Sequence, residues 1–277
     1  MDARQHTDPE SYELAARSFL LRSPLLNQMP LGIAESARTT PSRYPQGFRG
    51  LTIHDTAGAC VGAYLQTPPH PVLISHADEI TACTMAQHAR TLCADATVVF
   101  GQEDSARAFA HEWGAAAGRV MEEVGLFELT EVVPVGVAAG ACRVASPADA
   151  PLLLRWMREF SAEALPHDPP PDARAGDRLA ASERCWIWET ADGTPVCFVN
   201  NSRRIAGFWS IGPVYTPREH RGHGYASSLV QHVSLAALAS GASGCTLFTD
   251  LANPTSNRIY QRIGYQRIGT FAKLSLV

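Results

Sequence analysis

A short glycine-rich stretch in the last third of the chain has the chemistry of an anion site. It reads Arg221-Gly222-His223-Gly224-Tyr225-Ala226 and lies between a predicted strand and a predicted helix. Glycine lets the backbone approach a ligand closely, and the first amides of a helix have no acceptor within that helix. Because these amides and the helix dipole favour negative charge, the stretch predicts a site for a phosphate or pyrophosphate group.

The residues around the glycines exclude two common phosphate motifs. The Walker pattern requires a lysine followed by serine or threonine after its second glycine, and neither is present here. The dinucleotide fingerprint requires glycine or alanine at the position of Ser227. For this stretch alone, a tight turn without any ligand stays open as the alternative, since lone glycine motifs are weak signals.

A polar pair on the next predicted helix adds a second chemical group. Asn257 and Tyr260 are three residues apart and therefore share one helix face. Ile259 and Ile263 share another face, which can pack inward. A phenol with an ordinary pKa of about 10 is protonated at neutral pH and can donate to a more basic leaving group. Tyr260 thus offers a protonated phenol on this helix face, with a packing role as its alternative.

Together these two stretches resemble the GNAT superfamily of N-acyltransferases. The superfamily pattern Gln/Arg-x-x-Gly-x-Gly/Ala is matched by Arg221, Gly224 and Ala226, between the fourth strand and the third helix. The segment 253–265 is similar to a second pattern of the superfamily, N-x-x-A/S-x-x-L/I-Y-x-x-x-G-F/Y. The resemblance covers about residues 140–277, and this part is also similar to a bacterial subgroup of predicted acetyltransferases.

The resemblance implies direct transfer of an acetyl group from acetyl-CoA, as co-substrate, to a primary amine in a ternary complex. It implies a coenzyme site formed by Val214, Tyr215, Thr216, Arg221, Gly222, His223, Gly224, Tyr225, Ala226, Asn253, Asn257 and Tyr260. Amides around Val214–Thr216, beside a bulge at Gly212-Pro213, would bind the pantetheine carbonyls and stabilise the thioester oxyanion. Tyr260 would protonate the departing thiolate.

The general base is less well determined by the sequence. Glu189, at the end of a predicted strand, is our candidate, and Glu163, at the end of a predicted helix, is the alternative. For each, a solvated surface role competes with the role of base. No histidine follows His111-Glu112 at the zincin spacing and the other histidines are scattered, so we expect no metal.

Elements that position these residues are predicted from periodicity, caps and turn signals. In the second half we predict a strand at 142–145, a helix started by Ser146-Pro147, a loop at 167–172 and a hairpin around Asp192-Gly193. One long strand at 205–215 then leads to a helix at about 224–240 and a strand at 246–249. A short helix from Asn253-Pro254 to Gly264 and two strand-like pieces at 265–277 complete the second half. In the first half we predict a helix over 1–22, followed by a proline-interrupted stretch to Pro45 and strands at 51–54, 61–65 and 71–75. A helix at 78–93, a strand at 97–100, a helix at 103–118 and a strand at 126–133 follow.

Both halves are expected to be α+β (mixed α/β), with the GNAT fold of a central, mostly antiparallel twisted sheet flanked by helices. A boundary within Val135–Gly140 gives two domains in tandem, residues 1–138 and 139–277. The first-half segment Gln102-Glu103-Asp104 places acids where a pyrophosphate would lie, which is electrostatically unfavourable. We therefore predict a degenerate, non-catalytic first domain that supports the second domain or shapes its acceptor groove.

Composition narrows the class of protein. The 277 residues are 45% hydrophobic and 18% charged with a net charge of −4, which favours a packed core and argues against a general nucleic-acid binder. Seven cysteines without a C-x-x-C pair favour a reduced protein. The polar N-terminus and the lack of long apolar runs predict a cytoplasmic protein without a membrane partner. Its expected partner is a small-molecule or peptide amine, and a homodimer stays open.

Two functions of other classes also stay open. The chain could be a non-catalytic acyl-CoA-binding sensor or scaffold. In that case it would have no turnover with amines, and Tyr260→Phe would cause no loss of activity. It could also be a nucleotide-binding module, for which competition between CoA and ATP discriminates. The identity of the acceptor cannot be read from the residues.

Overall fold

The computed structural model describes residues 1–114 and 117–277, and these follow one order of elements twice. With short 3-10 turns set aside, that order is β-α-α-β-β-β-α-β-α-β. The first copy comprises β1 (Asp2–His6), α1 (Pro9–Leu20), α2 (Gln28–Thr39), β2 (Arg49–His54), β3 (Cys60–Gln66), β4 (Val72–Ile74), α3 (Glu79–Leu92), β5 (Val98–Gln102), α4 (Glu103–Trp113) and β6 (Val120–Leu129). The second copy comprises β7 (Ala141–Val144), α5 (Ala150–Ala164), α6 (Ala175–Ala180), β8 (Cys185–Glu189), β9 (Pro195–Ile205), β10 (Phe208–Tyr215), α7 (Tyr225–Ala239), β11 (Gly244–Asp250), α8 (Pro254–Ile263) and β12 (Gln266–Ser275).

One compact unit contains the N-terminal part of the chain and its last strand. It consists of Met1–Leu126, Asp250–Ala252 and Arg267–Val277. Its strands follow the order β1-β2-β3-β4-β5-β12, and every pair is antiparallel except β4 with β5. Fully buried Tyr64 and Met85 pack in its main hydrophobic cluster. Since β12 ends the chain, this unit is not one continuous segment of sequence.

The other compact unit consists of Phe127–Thr249 and Asn253–Gln266. Its strands follow the order β11-β10-β9-β8-β7, again antiparallel except for the pair of β10 with β11. Helix α5 lies on this sheet through Trp156, whose ring stacks on Phe198 of β9 with centroids 6.0 Å apart. This contact fixes α5 against the strands that lead to the glycine-rich loop.

Polar caps determine where several helices begin, as the sequence predicts. Asp78 accepts a 2.7 Å hydrogen bond from the Thr81 amide at the start of α3. The amide of Ser146 donates to the Asp149 carboxylate at 2.7 Å, which is one of the two bonds of a capping box before α5. These bonds satisfy amides that the first turn of a helix leaves without an acceptor.

The predicted ends of the first copy need three corrections, the first of which is that the strand predicted at 126–133 is β6 and runs from Val120 to Leu129. Residues 1–22 are not helical throughout, because Asp2–His6 forms β1 and pairs with β2 before α1 begins at Pro9. The pairing partner lies far along the chain, so local periodicity does not show it. The helix predicted at 103–118 ends at Trp113, and residues 115 and 116 lie outside the described part.

The second copy also differs from its prediction. The long strand predicted at 205–215 is interrupted by a turn at Ala206-Gly207, where both residues have positive φ. The strand β9 therefore continues to Ile205, and β10 begins at Phe208. The two strand-like pieces predicted at 265–277 form the single strand β12. Two short helices, α2 and α6, lie in stretches that we predicted to be irregular or left unassigned.

Candidate functional site

The glycine-rich loop joins β10 to α7 and leaves the start of that helix without a side-chain cap. Gly224 is the N-cap residue, with φ of 81°, and Gly222 has φ of 84°. Few other residues adopt this conformation without strain. The first helical bond runs from the Ser228 amide to the Gly224 carbonyl at 3.0 Å. The amides of the three residues between them have no acceptor within the helix, so the backbone geometry suits an anion.

The strands beside this loop separate before they end. Pairing between β10 and β11 covers only Phe208–Ser210 opposite Gly244–Thr246. The strand β10 continues to Tyr215, where its ladder with β9 shifts register on both sides of Ile211. The bulge predicted near Gly212-Pro213 is thus confirmed. Within the described residues, the edge of β10 that faces β11 has no ladder partner beyond Ser210, so an extended ligand could approach backbone groups there.

Helix α8 places the predicted acid in a buried position. Tyr260 is 8% exposed, and its ring meets Tyr265 edge-on with centroids 6.0 Å apart. Burial, with the Cys197 thiol nearby, raises the pKa of the Tyr260 phenol. The phenol therefore stays protonated at physiological pH. The expectation that Ile259 and Ile263 form the inward face is only partly met, because Ile263 is buried but Ile259 is less buried than Tyr260.

Asn253 has a structural role at the start of α8. Its side-chain oxygen accepts a 3.1 Å hydrogen bond from the Ser256 amide. This bond caps the helix. Asn257 lies one turn further along and is half-buried on the same helix as Tyr260.

Arg221, the first residue of the matched motif, donates hydrogen bonds to two other residues of the chain. Its Nη2 donates to Glu163 Oε2 at 2.7 Å, and its Nε donates to the Thr216 carbonyl at 2.9 Å. Arg218 also reaches Glu163, with its Nε 3.1 Å from Oε1. The alternative base Glu163 is therefore bonded to two guanidinium groups, and the sequence offered no signal for this contact.

Glu163 is a weak candidate for a base because of these arginines. Partial burial alone would raise the pKa of its carboxyl, but the hydrogen bonds from Arg221 and Arg218 outweigh burial and lower that pKa. A carboxylate with a lowered pKa accepts protons less readily. Glu163 thus acts on the loop arginines rather than on a substrate proton in this arrangement.

Glu189 is also ion-paired. Its Oε1 lies 2.7 Å from Arg143 Nε, and the same guanidinium makes two bonds of 2.7 and 2.8 Å to Asp149. Arg143 and Glu189 lie on the paired strands β7 and β8, and Asp149 lies just before α5. A role of Glu189 as base would require its carboxylate to leave Arg143.

The rings of His223 and Tyr225 lie against each other at the glycine loop. Their centroids are 5.5 Å apart and the planes differ by 15°. His223 is exposed, and its Nδ1 lies 3.3 Å from the His220 carbonyl. His223 therefore makes its contacts within the loop.

The linker before β7 packs on α7. The Ala138 amide donates to Ser228 Oγ at 2.8 Å, and the Ala138 Cβ is near Gly224. The Gln231 side chain contacts the backbone of Val135 through both its amide atoms. Sequence patterns did not reveal that residues 135–138 brace the first turns of this helix.

The first copy has a different loop at the equivalent place. Helix α3 follows the fourth strand of its copy, so residues 75–78, and not the predicted residues around 100–105, correspond to the glycine loop. That expectation was wrong. The amides of this loop are bonded within the protein: Ser75 N to Ala63 O at 2.8 Å, His76 N to Asn27 Oδ1 at 3.2 Å, and Ala77 N to Ser105 Oγ at 3.0 Å.

The described residues contain neither a candidate metal site nor a helix suited to crossing a membrane. No group of three or more His, Cys, Asp or Glu side chains in residues 1–114 and 117–277 is arranged to hold a metal ion. In the same part of the chain, no helix has both the length and the apolar character needed to cross a membrane.

Comparison with known proteins finds a family match for the part of the chain that contains this loop. Residues 151–265 match the acetyltransferase (GNAT) family, whereas no curated protein sequence matches the chain. A GCN5-related N-acetyltransferase from Sphaerobacter thermophilus has a similar structure, with 16% identity, a TM-score of 0.65, and coverage of 99% of this chain and 96% of its own. An acetyltransferase from the GNAT family from Colwellia psychrerythraea is 9% identical with a TM-score of 0.64, and the match covers 99% of this chain and 98% of that one.

A third similar structure is a tandem GNAT protein from the clavulanic acid biosynthesis pathway. It is 12% identical with a TM-score of 0.56, and the match covers 100% of this chain and 99% of that one. Identities this low show a shared fold alone, and the match to the family covers residues 151–265. The second half of the chain thus matches the acetyltransferase (GNAT) family over residues 151–265, and the whole chain has a mixed α/β fold that is similar to solved GNAT acetyltransferases.

Proposed function

We propose that this chain is an N-acetyltransferase that transfers an acetyl group from acetyl-CoA to a primary amine by direct attack in a ternary complex. One observation carries the proposal: the uncapped start of α7 lies at the end of β10, where β10 has parted from β11. The first feature suits a pyrophosphate, and the second suits an extended arm. Acetyl-CoA has both parts and supplies the acyl group as a thioester.

The backbone of the second copy would hold most of the coenzyme. In this proposal the first amides of α7 and the loop glycines Gly222 and Gly224 bind the pyrophosphate. The open edge at Val214–Thr216 donates to the pantetheine carbonyls and stabilises negative charge on the thioester oxygen, and Asn257 lies beside the arm. Fixed backbone donors act strongly here because they need no reorganisation when charge develops.

Tyr260 would protonate the leaving thiolate. Its burial supports this role, because burial raises the pKa of the phenol and keeps the proton available. We retain Glu189 as the proposed base, acting directly or through water once its carboxylate is released from Arg143. Glu189→Gln should lower kcat with an amine acceptor, and an unchanged kcat would remove Glu189 from the mechanism.

Binding and turnover test the proposal separately. Calorimetric titration should show acetyl-CoA binding to the wild type and no binding to Gly224→Glu, whose carboxylate would lie at the anion site. Unchanged affinity would reject the site. A panel of amines with detection of released thiol then identifies the acceptor, and loss of turnover in Tyr260→Phe separates an enzyme from a coenzyme-binding sensor.

We propose further that residues 1–138 form a degenerate GNAT-like domain and residues 139–277 the catalytic one. The support is the loop 75–78, whose amides are bonded within the protein, and Asp78, whose carboxylate lies over the start of α3. One acetyl-CoA should therefore bind per chain in the titration, and two would contradict this division of roles. The cysteine pattern leads us to propose a cytoplasmic location.

A further inference from the structure

We propose that Glu163 is a positioning residue for the coenzyme, acting through Arg221 on the glycine loop. This inference rests on the proposed function. Glu163 lies in the last turn of α5, a helix fixed to the sheet by the stacking of Trp156 on Phe198. The carboxylate thereby links the loop to a rigid element that belongs to neither β10 nor α7.

The contacts of Glu163 divide between its two oxygens. Oε2 accepts from Arg221 Nη2 at 2.7 Å, and Oε1 accepts from Arg218 Nε at 3.1 Å. The Tyr215 hydroxyl approaches Oε1 at 3.4 Å and Glu159 Oε2 at 3.1 Å. Glu163 is thus the acidic residue that both loop arginines share, and its side chain is 29% exposed.

Arg221 has donors to spare after these contacts. A guanidinium carries five N–H groups, and Arg221 uses one at Nε for the Thr216 carbonyl and one at Nη2 for Glu163. Its Cζ also lies 5.7 Å from the centroid of the Tyr215 ring. The side chain is therefore held along one edge, while Nη1 and the second Nη2 hydrogen are available to a phosphate.

This arrangement reduces the entropy lost on binding. A free arginine must order several rotatable bonds when it meets an anion, and this ordering weakens the net interaction. Glu163 orders Arg221 in advance and leaves three of its five N–H groups available to the anion. The effect of Glu163 on coenzyme affinity should therefore require Arg221.

A double-mutant cycle on acetyl-CoA affinity tests this dependence. Calorimetry on the full chain compares the wild type with Glu163→Gln, Arg221→Gln and the double variant. We expect Glu163→Gln to weaken binding about five- to tenfold, as for loss of a charge-assisted contact that orders the site. In the Arg221→Gln background, Glu163→Gln should have no further effect. Glu159→Gln is the matched control, one turn earlier on α5, and should bind like the wild type.

The outcomes separate this inference from the function on which it rests. If the wild type does not bind acetyl-CoA, the proposed function fails. If the wild type binds and Glu163→Gln binds equally well, the positioning role is wrong. Tighter binding by Glu163→Gln would also overturn it, because the carboxylate would then compete with the coenzyme. If Glu163→Gln weakens acetyl-CoA binding equally in the wild-type and Arg221→Gln backgrounds, the effect is a general structural one and the positioning role is wrong. Glu163→Asp, which keeps the charge but shortens its reach, gives an intermediate loss if the role is correct and provides a second folded variant.

Discussion

Asp78 and Gly224 occupy the same position in the two copies of the fold, as the N-cap residues of α3 and α7. Asp78 places its carboxylate on the Thr81 amide at 2.7 Å, whereas Gly224 makes no side-chain bond at all. An aspartate therefore neutralises the positive end of one helix, and a glycine leaves the other available to an external anion. This single difference is a physical basis for the proposed single coenzyme site per chain.

Replacing Gly224 with aspartate, the residue at the equivalent position of the first copy, should weaken coenzyme binding at the start of α7. Gly224→Asp brings a carboxylate to the start of α7, and we expect it to raise the acetyl-CoA dissociation constant about a hundredfold. Gly224→Asn is the matched control, because asparagine has a similar shape and also tolerates positive φ. It should raise the constant by much less, as measured by calorimetry. Equal losses would assign the effect to shape rather than to charge.

A substitution at the equivalent N-cap of the first copy should change stability and leave coenzyme binding unchanged. Asp78→Ala removes the cap of α3 and should lower the free energy of unfolding by about 1 kcal/mol, the usual contribution of an N-cap. Urea denaturation measures this change. Acetyl-CoA affinity and stoichiometry should stay as in the wild type, and a change in either would show that α3 takes part in binding.

The local parts of the site were predictable, since they depend on short patterns. The loop 221–226 and the segment 253–265 each combine a glycine or asparagine signal with the helix that follows, and the structure has both helices. The bulge at Gly212-Pro213 was predictable for the same reason, because proline cannot donate to a ladder.

Because one strand of the first half was not predicted, the strands of the two halves were matched with an offset of one. Because β1 was predicted as helix, β4 was counted as the third strand and β5 as the fourth. The loop sought as the counterpart of the glycine loop was therefore taken after β5, one strand too late. β1 is stabilised by pairing with β2, whose residues lie more than forty positions away. The contact of Glu163 with Arg221 is equally non-local, so neither feature could be predicted from neighbouring residues.

The ion pairs around Arg143 should make stability depend on acid pH. Hydrogen bonds from Arg143 outweigh partial burial and hold the pKa of the Asp149 carboxyl at about 2, against an ordinary value of 3.8. Since the folded-state pKa is the lower one, this stabilisation is complete above about pH 4 and is lost as the pH falls towards 2. Urea denaturation at pH 7 should find Asp149→Asn less stable by about 2 kcal/mol. This difference should shrink towards zero near pH 2.

A matched control for Asp149 is available in an exposed ion pair. Asp172 bonds Arg178 at 2.7 Å, but its side chain is 61% exposed. Asp172→Asn should therefore cost less than about 1 kcal/mol at neutral pH. If the two variants lose the same stability, the buried environment of Asp149 has no special contribution.

Two tyrosines that meet edge-on near α8 allow the proposed acid to be separated from packing. Tyr260→Phe removes a buried phenol with a raised pKa and should lower kcat about a hundredfold, while the KM for acetyl-CoA stays within about twofold. Tyr265→Phe removes a hydroxyl that lies 2.8 Å from Ser234 Oγ, so it should lower stability by about 1 kcal/mol and leave kcat unchanged. Thiol release with the amine found in the acceptor screen measures both variants.

Because a raised pKa keeps the Tyr260 proton in place, wild-type kcat should show no decline from its ionisation below about pH 10. Equal losses of kcat in the two variants would make Tyr260 a packing residue and leave the leaving thiolate to be protonated by solvent.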